Sequence, residues 1–180
     1  MSKNLIAVFC SASKAVPEKF NKAAERVISG LCGLGYGIVS GGTFLGTMGV
    51  VSETVLKCGG YHKGVLPRFM EPLAFDGLSE TVFTDTMSQR KEEMRHDTVA
   101  AIALPGGIGT LDEIIETLVL KKLGPYEGRV ILLNIDGFFN PLMALLDHYV
   151  ATGMMTQADR DLMECFDDEQ SLIRSLSFRD

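Results

Sequence analysis

Residues 98–113 read Thr98-Val99-Ala100-Ala101-Ile102-Ala103-Leu104-Pro105-Gly106-Gly107-Ile108-Gly109-Thr110-Leu111-Asp112-Glu113. The first seven carry no charge, and every position from Val99 to Leu104 is apolar. Such a run suits a strand covered on both faces, as in a parallel sheet, and not one with a wet side. Pro105 and three glycines then break it, and an amphipathic stretch continues to residue 123. A strand, a glycine turn and a helix thus follow one another directly.

The same alternation runs outward in both directions. Upstream, strands are expected at 5–9, 36–40, 61–66 and 81–83. Helices are expected from about Pro17, a favoured first helical residue, to Gly33 or Gly35, and at 46–57 and 86–95. Residues 67–79, with two prolines and Asp76-Gly77, read as a loop. Downstream come a helix at 110–123, a strand at 129–135, a helix at 141–151 and a polar tail, 157–178, that is helical in pieces. Helices alternating with strands that are apolar on both faces imply a doubly wound α/β fold, a mostly parallel sheet of about six or seven strands flanked by helices. At 180 residues the chain suits one domain, 1–180, burying roughly 70% of its unfolded surface.

Composition removes several function classes. The net charge of 17 − 23 = −6 has the wrong sign for sequence-blind binding to nucleic acid or an anionic membrane. No stretch approaches the ~20 apolar residues of a membrane span. Met1-Ser2-Lys3-Asn4 leads into only six apolar residues, short for a secretory signal. The cysteines at 10, 32, 58 and 165 form no CxxC pair, and His62, His96 and His148 are scattered. No metal site is therefore expected, and a reducing cytoplasm is the expected setting.

In a doubly wound fold the ligand crevice lies outside the carboxyl ends of the strands. Four segments fall there: Ser11-Ala12-Ser13, the loop from Gly41 and Gly42 to Gly46, the basic pair Arg90-Lys91, and Gly106 to Thr110. Glycines let a backbone approach closely, and the free N–H groups of a first helical turn attract anions. Together they point to a phosphate-bearing small molecule; the plainer reading is that the glycines only make tight turns. A nicotinamide dinucleotide fits poorly, because the first strand is not followed by G-x-G-x-x-G. Gly41 to Gly46 has the Walker spacing, but Thr47 stands where lysine is required. Thr110-Leu111-Asp112-Glu113 has the form of a capping box, in which Glu113 would bond back to the helix entrance. Its place on the same crevice edge as Arg90 favours instead a Glu113 that faces the crevice.

Pro105 to Glu113 also matches the pattern PGGxGTxxE, with Arg90-Lys91 and Met94 upstream. In this the chain resembles the LOG (Lonely Guy) family of cytokinin-activating phosphoribohydrolases, whose members are often labelled lysine decarboxylases. The similarity extends from Phe9-Cys10-Ser11 through Gly124. It implies a Rossmann-like domain, a homodimer, no organic cofactor, and hydrolysis of a nucleoside 5′-monophosphate to free base and ribose 5-phosphate. Carried over by position, Arg90 and Glu113 are the catalytic pair. Gly106, Gly107, Ile108, Gly109 and Thr110 cradle the phosphoribosyl part, with Lys91 assisting. Ser11, Ser13, Gly41, Gly42, Gly46, Glu71 and Asp112 complete the implied substrate site. Three departures stand out: Ser40 replaces the first of three glycines, Ser88 replaces a histidine, and Leu120-Lys121-Lys122-Leu123-Gly124 replaces a Trp-x-Gln-Leu-Gly ending. They shift the expected substrate from a prenylated base toward AMP or another purine monophosphate. Two other classes stay open, a non-catalytic nucleotide-binding protein and a decarboxylase built on a pyridoxal phosphate lysine.

Overall fold

In the computed structural model, residues 4–177 are described. Met1, Ser2 and Lys3, on which the reading of the chain's start rests, and Phe178, at the end of the expected tail, lie outside them. The elements run β1 (Leu5–Phe9), α1 (Glu18–Gly33), β2 (Gly37–Ser40), α2 (Gly46–Lys57), β3 (His62–Pro67), β4 (Glu80–Thr84), α3 (Met87–Arg95) and β5 (Thr98–Ala103). There follow α4 (Ile108–Leu123), β6 (Arg129–Leu133), α5 (Asn140–Ala151), α6 (Gln157–Arg160), β7 (Met163–Phe166) and α7 (Glu169–Ser177). Short 3-10 turns occupy Arg68–Leu73 and Ile135–Gly137.

The seven strands form one sheet in the order β4-β3-β2-β1-β5-β6-β7, and every pairing is parallel. Alternation along each strand divides the core in two. Ile6, Val8, Ala100 and Ile102 face one side, where Val27 and Ile28 of α1, Val51 and Val55 of α2 and Leu172 of α7 cover them. Ala7, Phe9, Ala101 and Ala103 face the other, beneath Met94 of α3, Ile114 and Leu118 of α4 and Leu146 of α5. Apolar residues on both faces are what a doubly covered parallel sheet demands. The order reverses at β1, whose neighbours are β2 and β5, so the loops after β1 and β5 diverge and leave a crevice.

Four local expectations are corrected. Pro17 is the N-cap of α1 and not its first residue, so the helix starts one position later. Helix α4 starts at Ile108, two residues before the expected boundary, because Gly107 serves as its N-cap. The 67–79 segment contains a 3-10 turn. The tail contains β7, whose Glu164 is held by Arg129 of β6 at 2.8 Å. Only Met163 of that strand is buried, so an edge position leaves little apolar pattern to read.

Gly46 ties the second glycine loop to the first strand's loop. Its φ is +54°, and a Cβ there would lie 2.4 Å from the Ser13 carbonyl oxygen. Nearby, Met48 N–H donates to Ser11 O at 3.1 Å. Gly46→Ala is expected to lower stability by about 2 kcal/mol or more, combining left-handed strain with overpacking against backbone. Urea unfolding measures it; an unchanged midpoint would mean that the two loops part without cost.

Candidate active site

Helices α3 and α4 both begin at the carboxyl edge of the sheet, but they begin differently. Thr86 caps α3: its hydroxyl accepts Gln89 N–H at 3.1 Å, while the Gln89 amide oxygen accepts Thr86 N–H at 3.2 Å. This is a complete capping box, in the pattern Thr-x-x-Gln. The alternative box at Thr110, with Glu113 reaching back, does not form. Gly107 offers no side chain to the first turn of α4, and Glu113 lies a turn too far along to reach back. Among the described residues no protein group accepts from the N–H of Ile108, Gly109 or Thr110. Gly107, Ile108 and Gly109 are exposed, so an uncapped, open helix N-terminus faces the crevice.

Thr110 turns the other way and is buried, its hydroxyl unpartnered among the described residues. Gly106 makes room for it, since a Cβ there would fall 2.1 Å from Thr110 Oγ1. Glu113, released from capping, pairs with Arg90. Arg90 Nη1 donates to Glu113 Oε1 at 2.8 Å, and its Nε donates to the Val65 carbonyl at 3.0 Å. Both side chains are more than nine-tenths buried. Glu113 Oε2 is buried and has no hydrogen-bond partner among the described residues. Burial pushes the Glu113 carboxyl above its ordinary value, against the opposing pull of Arg90. Cys10, at the end of β1, shares this environment. Burial and the Glu113 charge hold its thiol far above the usual range, so it stays protonated and is no nucleophile.

Lys91 reaches α4 beside this pair. Its ammonium contacts Asp112 at 3.0 Å and Glu116 Oε2 at 2.5 Å. Those partners raise its pKa, the bond to Glu116 most of all, with burial opposing. Lys91 and Asp112, both expected in the substrate site, thus bind each other and lock α3 to α4. Ser11 Oγ accepts Ser13 N–H at 3.1 Å, and both serines line a small cavity of about 190 Å³ with Pro105 and Gly106. Glu71 is exposed on the 3-10 turn after β3 and makes no hydrogen bond or ion pair with the other candidate residues.

The second glycine loop is more closed than its sequence suggests. Gly42 N–H donates to Ser40 Oγ at 3.1 Å, and Gly42 O accepts Phe75 N–H at 2.8 Å. A Cβ on Gly42 would fall 2.7 Å from Gly64 Cα. Gly42 and Gly46 therefore occupy packing positions, while Gly41 lies against Arg90. Sequence reasoning missed His62, whose Nε2 is 2.8 Å from Ser40 Oγ in the buried interior. A lone histidine on a strand gives no signal of its own. The cap at α3 could have been read, because Thr86-x-x-Gln89 has the required form.

The fold and this site define a Rossmann-like α/β protein with an uncapped helix N-terminus beside a buried ion pair. A family model described as "possible lysine decarboxylase" matches residues 48–176. A probable cytokinin riboside 5′-monophosphate phosphoribohydrolase of Oryza sativa subsp. japonica is 35% identical over 95% of this chain and 78% of its own length. A cytokinin riboside 5′-monophosphate phosphoribohydrolase of Arabidopsis thaliana is 33% identical, covering 95% and 80%. The chain belongs to the LOG family of these relatives. Among solved structures, the molybdenum cofactor carrier protein of Chlamydomonas reinhardtii superposes with a TM-score of 0.77 at 20% identity, covering 97% of this chain and 96% of that one. The molybdenum cofactor binding protein of Rippkaea orientalis gives 0.76 at 24% identity, covering 99% of both chains. These two likenesses show the fold.

Burial lowers the His62 pKa from 6.5 to about 4, so the folded protein favours the neutral ring. The stability this contributes is present above pH 6.5 and is lost as pH falls from there through 4. The loss amounts to about 3 kcal/mol at 1.36 kcal/mol per unit. Glu113, with its raised pKa, works in the opposite sense and gains relative stability as pH falls. Unfolding free energies measured between pH 7 and 4 are expected to fall less steeply in His62→Gln than in the unmodified protein. Equal slopes would assign the acid sensitivity to other groups.

Proposed function

We propose that this protein hydrolyses the N-glycosidic bond of a nucleoside 5′-monophosphate, AMP or a cytokinin riboside monophosphate, giving free base and ribose 5-phosphate. The observation that carries the reading is the pairing of an uncapped α4 N-terminus with a buried carboxylate, Glu113, that keeps one oxygen free. The relatives' names point to the same chemistry.

The phosphate takes the free N–H groups of Ile108, Gly109 and Thr110, whose dipoles favour a dianion. Ribose then lies toward Glu113. As the C1′–N bond breaks, its electron pair leaves with the base and positive charge grows on the sugar. The Glu113 carboxylate stabilises that cation and orients a water, whose oxygen bonds to C1′ and whose proton passes to the base. Arg90 serves as the anion stabiliser, at the phosphate or at the departing base. Lys91 acts indirectly, holding the α4 first turn through Asp112. No organic cofactor is needed for these steps. The decarboxylase reading requires a lysine free to form a Schiff base, whereas Lys91 is held as an ammonium between two carboxylates. The absence of tryptophan, with Ser40 and Ser88 at the other two departures, favours an unmodified purine.

A homodimer is part of the same proposal. Ile108 is 83% exposed, and with Leu111, Val119, Leu145 and Tyr149 it lines an apolar groove of about 600 Å³ between α4 and α5. A partner chain would cover that surface next to the open N-terminus. The 180 residues act in this reading as one nucleotide-binding unit in the cytoplasm, the acidic charge and the free thiols being suited to it. No helix among the described residues is long and apolar enough to cross a membrane.

Incubation with a panel of nucleoside monophosphates, with free base resolved by chromatography, tests the reaction. AMP should release adenine, and adenosine should react at least a hundredfold more slowly, since two lost charge-assisted bonds are worth ~1.5–3 kcal/mol each. No free base from any monophosphate would leave the non-catalytic binding protein as the better reading.

Glu113→Gln separates chemistry from architecture. Turnover should drop by roughly a hundredfold or more at temperatures where the variant stays folded. Its unfolding free energy should also fall, by about 3 kcal/mol, because Arg90 stays charged and buried without its counter-ion. Near-normal turnover in this variant would remove Glu113 from the reaction.

A further inference from the structure

Arg90 has one nitrogen to spare. Its Nε is held by Val65 O and its Nη1 by Glu113, while Nη2 has no acceptor among the described residues. Gly41 forms the wall beside Nη2, for a Cβ on Gly41 would lie 2.6 Å from it. The position of Gly41 therefore sets where the free edge of the guanidinium can stand. Gly41 in turn hangs between Ser40 and Gly42, and the Gly42 amide is bonded back to Ser40 Oγ at 3.1 Å.

We infer that Ser40 and His62 form a positioning couple for Arg90, fixing the Ser40–Gly42 turn so that Gly41 seats the guanidinium against Glu113. The inference rests on the reading that Arg90 acts in glycosidic cleavage. Ser40 and His62 are almost wholly buried, and their side chains meet at 2.8 Å across β2 and β3. In the sheet Ile38 pairs with His62 and Ser40 with Gly64, so the imidazole reaches diagonally toward the carboxyl edge. The serine hydroxyl can accept from Gly42 and donate to the neutral ring in the same geometry. Two apolar side chains would fill this interior at no desolvation cost. They would leave the Gly42 N–H without its acceptor and the turn free to shift. A satisfied buried polar pair instead specifies one arrangement. A glycine at position 40 could not supply that bond, which makes this chain's departure from the three-glycine pattern the source of the couple.

Two readouts on Ser40→Ala test it. The first is turnover with AMP, where kcat should fall about ten- to a hundredfold, as expected when a charge-stabilising group shifts by a fraction of an ångström to an ångström. His62→Gln, which keeps a hydrogen-bonding nitrogen, should lose less than His62→Val. In an Arg90→Lys background the Ser40→Ala loss should shrink to about twofold or less, since the couple acts through Arg90. Equal losses in both backgrounds would reduce Ser40 to a stabilising residue and overturn the inference. The second readout is independent of activity: the Arg90 Nε–H resonance in ¹⁵N-labelled protein, assigned by its loss in Arg90→Lys. Ser40→Ala should shift it and speed its exchange with water; an unmoved signal overturns the inference. If Ser40→Ala does not fold, His62→Gln carries both measurements. A wild-type protein that cleaves no monophosphate, yet whose Arg90 signal moves in the variant, would refute the proposed reaction and leave the couple standing.

Discussion

The ion pair between Arg90 and Glu113 imposes its requirements on everything around it. Removing a guanidinium and a carboxylate from water costs several kcal/mol per ion, which only good geometry and further hydrogen bonds can offset. Each neighbouring element meets one of those demands. The end of β3 presents the Val65 carbonyl to Nε. The turn after β2 places a residue without a side chain against Nη2. Helix α3 is fixed at its entrance by the Thr86 box, so Arg90 emerges at a set height, and Lys91 on the next position grips α4. Helix α4 begins early, at Ile108 behind the Gly107 N-cap, which carries Glu113 past the first turn and into the interior.

Much of this was legible in the residues. Runs apolar on both faces, punctuated by Gly and Pro, gave the parallel sheet, its helices and the side on which the crevice opens. The PGGxGTxxE stretch marked the α4 entrance. The cap was the ambiguous point. Thr110-Leu111-Asp112-Glu113 and Thr86-Met87-Ser88-Gln89 both fit the capping pattern, and local sequence does not say which helix starts a turn earlier. That depends on tertiary demand: Gly107 can end a strand turn closely and needs no cap if a ligand supplies the acceptor. The Ser40–His62 contact was illegible for another reason. It joins residues on neighbouring strands, and a pairing register is not written in either strand alone.

The likenesses sort the same way. Proteins named for carrying or binding molybdenum cofactor share this architecture at 20% and 24% identity, whereas the phosphoribohydrolases resemble this chain in sequence at 35% and 33%. Architecture alone does not name a substrate. What distinguishes proteins on such a scaffold is the handful of side chains at the strand ends. Among the described residues of this chain they are a carboxylate with one unpaired oxygen, an arginine with one unpaired nitrogen, and an uncapped helix start.

The position of β1 at the middle of the sheet has a kinetic consequence. It pairs on one side with β2, where Leu5 meets Gly37, and on the other with β5, where Leu5 meets Thr98. The first contact closes a short loop; the second must wait until more than half of the chain is available. Long-range parallel pairings form slowly, because loop-closure entropy is spent before the contact repays it. During synthesis from the ribosome, β1 to β4 can assemble as a half-sheet whose β1 edge stays open. That edge is apolar on both faces, and an open edge of this kind is a template for another nascent chain. The arrival of β5 covers the β1 edge and brings up the glycine turn, so the open edge moves outward to β5 and then β6 until β7 completes the sheet.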